Sequence, residues 1–165
     1  SVLVAQSLGA AQHDRARLYA IHGLRLALGC ALVVGATLFL ARERVIGWYS
    51  TDAAVIATAV SLVAIVALFH LFDAVQAMIS FILRAHKITT LPMIVYLVSL
   101  WGVGLAGGWW LSFVVGRSGS AWAPYVAAAK GFWIAATLSL GLASVWLAAI
   151  LVRVWRRQAS GAAGS

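Results

Sequence analysis

The sequence predicts an all-α, polytopic helical membrane protein, with four complete transmembrane helices and the end of a fifth. Three observations lead there. Of 165 residues, 64% are hydrophobic and only 10% are charged, and the mean hydropathy is +0.99. A soluble domain has roughly half its residues apolar and cannot bury more than its interior holds, so lipid is the natural solvent for this chain. The second observation is length: four apolar segments each reach the ~20 residues that a bilayer requires. The third is charge placement. The chain carries a formal charge of +8, twelve Lys/Arg against four Asp/Glu, and the basic residues stand at segment ends. That pattern marks membrane topology and contact with anionic lipid, and no basic stripe with interleaved aromatics suggests a nucleic-acid partner.

The first span is read at Leu18–Ala41, after the polar start HDRAR, in which Asp14 is expected to cap the helix. The second is Ala53–Leu83, capped by the Ser50-Thr51-Asp52 cluster. It exceeds a bilayer's need, so it is expected to tilt or to lay its first turns at the interface. The third is Leu91–Val115, opening beside Pro92, which a first helical turn tolerates. The fourth is Lys130–Val152. All should be helices, because lipid offers the backbone no hydrogen-bond partners. GRSGSAWAP, between the third and fourth spans, reads as a loop. The tail, residues 158–165, reads as flexible. The opening SVLVAQSLGAA is apolar but shorter than the ~17-residue minimum for a span. It lacks the basic start of a signal peptide and is read as the last turns of a helix that begins before Ser1.

Counting charges sets an expected orientation. One side holds Arg15, Arg17, Arg84, Lys87, Arg153, Arg156 and Arg157; the other holds Arg42, Arg44, Arg117 and Lys130. Seven against four puts the first set, with the C-terminus, in the cytoplasm. Trp48, Tyr49, Trp122, Tyr125 and Trp155 fall near segment ends, where amphipathic rings favour the interface. Trp101, Trp109 and Trp110 lie deeper and are read as packing or lipid contacts. GVGLAGG at 102–108 should let helices approach closely. Cys30 has no partner for an intrachain disulfide and reads as a packing residue. Arg25 lies about two turns inside its span and can snorkel to the interface.

One apolar run raises a chemical question. LFHLFDAVQAM, residues 68–78, brings His70, Asp73 and Gln76 into the second span. At about 100° per residue, with His70 at zero, Asp73 falls at about 300°, Gln76 at about 240°, Ser80 at about 280° and Arg84 at about 320°. The polar residues therefore share one face, which should look into a protein interior or a water-filled cavity. Asp73 lies about 16 Å along the axis from Arg84, well inside the hydrocarbon. A carboxylate there costs about 2.5–3.5 kcal/mol on insertion scales, so it is a functional residue by default, able to bind a proton or Na⁺. The bland alternative is a structural carboxylate paired with His70 or with an Arg of another helix. No third ligand with metal-binding spacing accompanies these residues.

LFHLFDAVQ resembles the tenth helix of the multidrug and toxic compound extrusion (MATE) transporters of the NorM-like bacterial type. The usual pattern there is phenylalanine-glutamine, two residues, aspartate, two residues, glutamine. VAQSLGAAQHDRAR is similar to the end of the family's eighth helix and the loop after it. ILRAHKITTLPM resembles the stretch leading into helix eleven, WGVGLAGGW helix eleven itself, and GFWIA at 131–135 the start of helix twelve. The resemblance covers nearly the whole chain, in order and with matching spacing.

It implies a twelve-helix fold of two six-helix lobes. Residues 1–157 would then form part of the C-terminal lobe, from the end of helix eight through helix twelve, and the N-terminal lobe would be the missing partner. It also implies antiport: export of cationic or amphipathic drugs against entry of Na⁺ or H⁺, in a bacterial inner membrane and with no cofactor beyond the coupling ion. Asp73 takes the cation-coupling role by this match, with His70 beside it; Phe69, Gln76 and Trp101 are expected to line the substrate cavity. The departures are specific. His70 puts an ionisable ring where the family has an amide, and Phe69 stands where some members have tyrosine. Ala85 replaces a common glycine and Ala106 a common proline. Two other readings remain at this point: a stand-alone four-helix scaffold or subunit, and a lipid-linked sugar flippase of the same superfamily. The sequence offers no nucleophile–base pair or zinc motif for an enzyme.

Overall fold

The computed structural model describes residues 1–162. Among them every regular element is helical: α1 (Val2–Gly9), α2 (His13–Gly47), α3 (Ala53–Ala85), α4 (Thr90–Arg117), α5 (Ala123–Val126) and α6 (Ala129–Ala162). Four of these, α2, α3, α4 and α6, are long and apolar enough to cross a membrane. They alternate in direction, so the start of α2, the end of α3, the start of α4 and the end of α6 share one end of the bundle. That end carries the seven-residue basic set named above.

The helices outrun the expected spans. α2 has 35 residues and α6 has 34, about 50 Å each at 1.5 Å per residue. Both overshoot a hydrocarbon core of ~30 Å, so their last turns reach the headgroup layer. α6 continues to Ala162, where a flexible tail from residue 158 was expected; its backbone stays helical and the Ser160 hydroxyl donates to the Arg156 and Arg157 carbonyls. Residues 163–165 of that tail lie outside the described residues.

Helix ends follow local chemistry. The N-cap of α3 is Asp52, as expected: its carboxylate accepts from the Ala54 and Val55 amides at 2.8 and 3.2 Å, which satisfies two donors that a helix start leaves free. Asp14 does not cap α2. The helix begins at His13, with Gln12 at the cap position, so Asp14 falls within the first turn. The turn after α3 places Lys87 at φ 61°, and the Ile88 amide returns to the Leu83 carbonyl at 3.0 Å. Ala85 is still helical, so the glycine it replaces is not required for left-handed backbone here.

α4 differs from a plain helix. It is π-helical over Ser99–Ala106 and Trp110–Val114 and ends in a 3₁₀ turn at Val115–Arg117. Gly102 and Gly104 carry no Cβ to resist the widened turns. The loop expected at 116–124 runs into the short helix α5, whose first turn carries Pro124.

The glycines of α4 also bring it against α6. A Cβ on Gly108 would come 2.7 Å from the Phe132 ring, and one on Gly104 would come 3.1 Å from Ser139 Oγ. The densest packing lies at the basic end. There Val4 of α1, Ala16 and Ala20 of α2, Ile79, Ile82 and Leu83 of α3, Val95 of α4, and Leu147 and Leu151 of α6 form one buried cluster.

Candidate functional site

α3 positions the polar residues, and its neighbours decide which of them remain accessible. α2 packs on one flank, where Met78 fills the space over Gly23 and the Ala67 carbonyl lies 3.3 Å from where a Gly35 Cβ would stand. α6 packs on another. Ser144, buried in an otherwise apolar stretch, donates to the Phe72 carbonyl at 3.1 Å and shares that proton with its own Leu140 carbonyl at 2.8 Å. Gly141 leaves room for the Phe72 ring. The Phe72 side chain thus points at α6, and the next residue, Asp73, turns about 100° away from it.

The polar face divides into a closed part and an open part. Gln76 and Ser80 are buried, and the Gln76 amide donates to Ser80 Oγ at 3.2 Å. They line a cleft of about 270 Å³ together with Phe81, Arg84, Met93 and Tyr96. His70 and Asp73 are only half-buried. Neither has a hydrogen bond or an ion pair among the described residues, so neither the His70–Asp73 contact nor an arginine partner for Asp73 is formed. Arg84 lies over the Phe81 ring at 5.4 Å instead.

One turn above Asp73, Phe69 meets Trp133 edge to face, with ring centroids 5.6 Å apart. Both rings belong to an apolar groove of about 470 Å³, with Leu100, Trp101, Phe132 and Ala136 along its walls. Phe69 and Trp101 therefore share one groove, while Gln76 lines the other. Asp73 lines neither; it lies on the same face of α3, about 6 Å along the axis from Phe69 and about 4.5 Å from Gln76. The face can therefore offer a lone carboxylate, flanked by an apolar aromatic surface on one side and an amide–hydroxyl pair on the other. Among the described residues no three His, Cys, Asp or Glu side chains cluster closely enough to hold a metal ion.

Ser144 and Trp133 are the participants that sequence reasoning missed. A serine in an apolar span was the only signal for the first. Trp133 was visible within GFWIA but had no partner until α6 was laid against α3.

Comparison with known proteins places the chain among relatives. The MatE family model matches residues 1–110. A probable multidrug resistance protein NorM of Aromatoleum aromaticum is 39% identical over 156 residues, which is 92% of this chain and 32% of the relative. A probable NorM of Chromobacterium violaceum is 34% identical over 163 residues, 96% of this chain and 33% of the relative. The multidrug resistance protein PmpM of Pseudomonas aeruginosa is 35% identical over 157 residues, 95% and 32% respectively. The chain thus spans about a third of the length of these relatives. Motif, helical architecture and similarity along nearly its whole length converge: the chain belongs to the MatE family, the multidrug and toxic compound extrusion transporters.

Proposed function

We propose that this chain is part of the second lobe of a cation-coupled antiporter, which exports cationic or amphipathic compounds against entry of Na⁺ or H⁺. It acts as a transporter and not as an enzyme, in a bacterial inner membrane, with the C-terminus cytoplasmic as the arginine count suggests. The observation that carries the reading is Asp73: a carboxylate within an apolar span, half-buried and without a partner among the described residues. Such a group is costly in a membrane unless a bound cation or proton completes it. The names of the related proteins support drug-like substrates.

The mechanism is mutual exclusion. With Asp73 free of cation, its negative charge favours a positively charged solute, and the nearby Phe69–Trp101 groove offers apolar surface for the solute's rings. Cation or proton binding at Asp73 removes that charge and favours the state that releases the solute. Coupling requires that each ligand bind one conformation better than the other. His70 lies on the same face, at its edge, and can modulate which ion is accepted. In the complete transporter, Asp73→Asn should reduce ion-gradient-driven export of a fluorescent cationic dye to the background of cells lacking the protein. Export at the normal rate rejects the assignment.

A further inference from the structure

A separate cleft lies away from Asp73, at the basic end of the bundle. It has a volume of about 520 Å³ and lies between the α1–α2 turn with Arg15 and Arg17 on one side, and Trp155 and Gln158 of α6 on the other. The turn is held in shape: Ala11 adopts φ 56°, and the Gln12 amide donates to the Ser7 carbonyl at 2.8 Å. Arg15 is steadied by the Gln12 side chain at 3.1 Å. The Arg17 guanidinium lies 5.2 Å over the Trp155 ring, and the buried Trp155 indole N–H has no acceptor among the described residues.

The charge lining the cleft is net positive. Arg15 and Arg17 line it together with His13 and Asp14, and Asp14 is the one acid of the lining. Neither Arg15 nor Arg17 has a carboxylate partner among the described residues. Orientation in the membrane needs basic residues, but it does not need them gathered around a shaped cleft.

We infer that this cleft binds the phosphate of an anionic phospholipid. Guanidinium groups suit a phosphodiester because their donors match its oxygens in pairs. Position selects a lipid over a soluble phosphate. The cleft lies where two helices about 50 Å long leave the hydrocarbon. Within three residues of Arg17 and Trp155 on the membrane side, Leu18, Tyr19 and Val152 are 54%, 43% and 41% exposed, which offers apolar surface for acyl chains near a bound headgroup. A basic pocket between membrane helices is a recognised form of headgroup site. The inference stands independently of the role given to Asp73.

The test uses the full-length transporter in detergent, titrated with dioleoylphosphatidylglycerol and read by native mass spectrometry. The double variant Arg15→Gln/Arg17→Gln should lose about thirtyfold in affinity for this lipid, given what each cation near a membrane surface contributes. Arg156→Gln/Arg157→Gln, at exposed positions outside the lining that leave the Trp155 stack intact, should lose less. Arg42→Gln/Arg44→Gln removes the same charge from the opposite end and should bind as the unmodified protein does, as should Asp73→Asn. Equal losses in the Arg15/Arg17 and Arg42/Arg44 pairs would reduce the effect to net charge and overturn the site. Undiminished binding in the Arg15/Arg17 variant would also overturn it. Displacement of the lipid by excess inorganic phosphate at matched ionic strength would assign the cleft to a soluble phosphate and contradict the lipid.

Discussion

From Gln76 to Leu83, α3 buries Gln76, Ile79, Ser80, Ile82 and Leu83; from Ala53 to Phe69 it buries no residue. The two halves have similar apolar character, so hydropathy does not separate them. What separates them is their neighbours. The basic-end half is wedged among α1, α2, α4 and α6, while the other half meets helices on part of its surface only. Asp73 sits at the boundary. In lipid, apolar surface gains little from leaving the solvent, and helix association depends on close packing. The packed half therefore anchors α3, and the other half keeps open surface. A carboxylate at that boundary is held on a fixed frame yet remains open on one face.

Substitutions can break or sharpen this contrast. The largest effect should come from Leu83→Ala, which opens a cavity in the buried cluster and should cost about 2–5 kcal/mol. Leu68→Ala, on the half-exposed stretch, should cost less than about 1 kcal/mol. Thermal unfolding of the full-length protein in detergent measures both, and equal losses would erase the distinction between the halves. Next comes Gly108→Ala, where the new Cβ would meet the Phe132 ring and backbone. Forcing α4 away from α6 there should cost about 1–3 kcal/mol. It should also loosen the Phe69–Trp133 groove and weaken dye binding; unchanged stability would show that α4 is not held by this contact.

The four spans, the Asp52 cap and the polar face of α3 were legible in the sequence because each rests on local chemistry: hydropathy over a window, a capping carboxylate, and helical periodicity. The close approach of α4 was legible too, from its glycines. Three things were not. Helix ends were placed short, because hydropathy fades at the headgroup layer while backbone hydrogen bonding does not. Asp14 was read as the cap of α2, although α2 starts one residue before it. The division of the polar face was also hidden: Gln76 and Asp73 look equivalent on a helical wheel, and only the packing of α4 and α6 buries one and leaves the other open. The roles of Asp73 and His70 came from chemical cost and family resemblance, and the geometry adds that neither is neutralised by a neighbour among the described residues.

The central claim is that one carboxylate serves cation and solute in turn. It is tested most directly by equilibrium displacement with the purified full-length protein. A fluorescent cationic substrate is bound first, then Na⁺ is added at constant ionic strength, or the pH is lowered, for the unmodified protein and for Asp73→Asn. The account predicts that one of these treatments displaces the dye from the unmodified protein, and that Asp73→Asn shows no such displacement. Equal displacement from both proteins would contradict it and place the coupling site elsewhere.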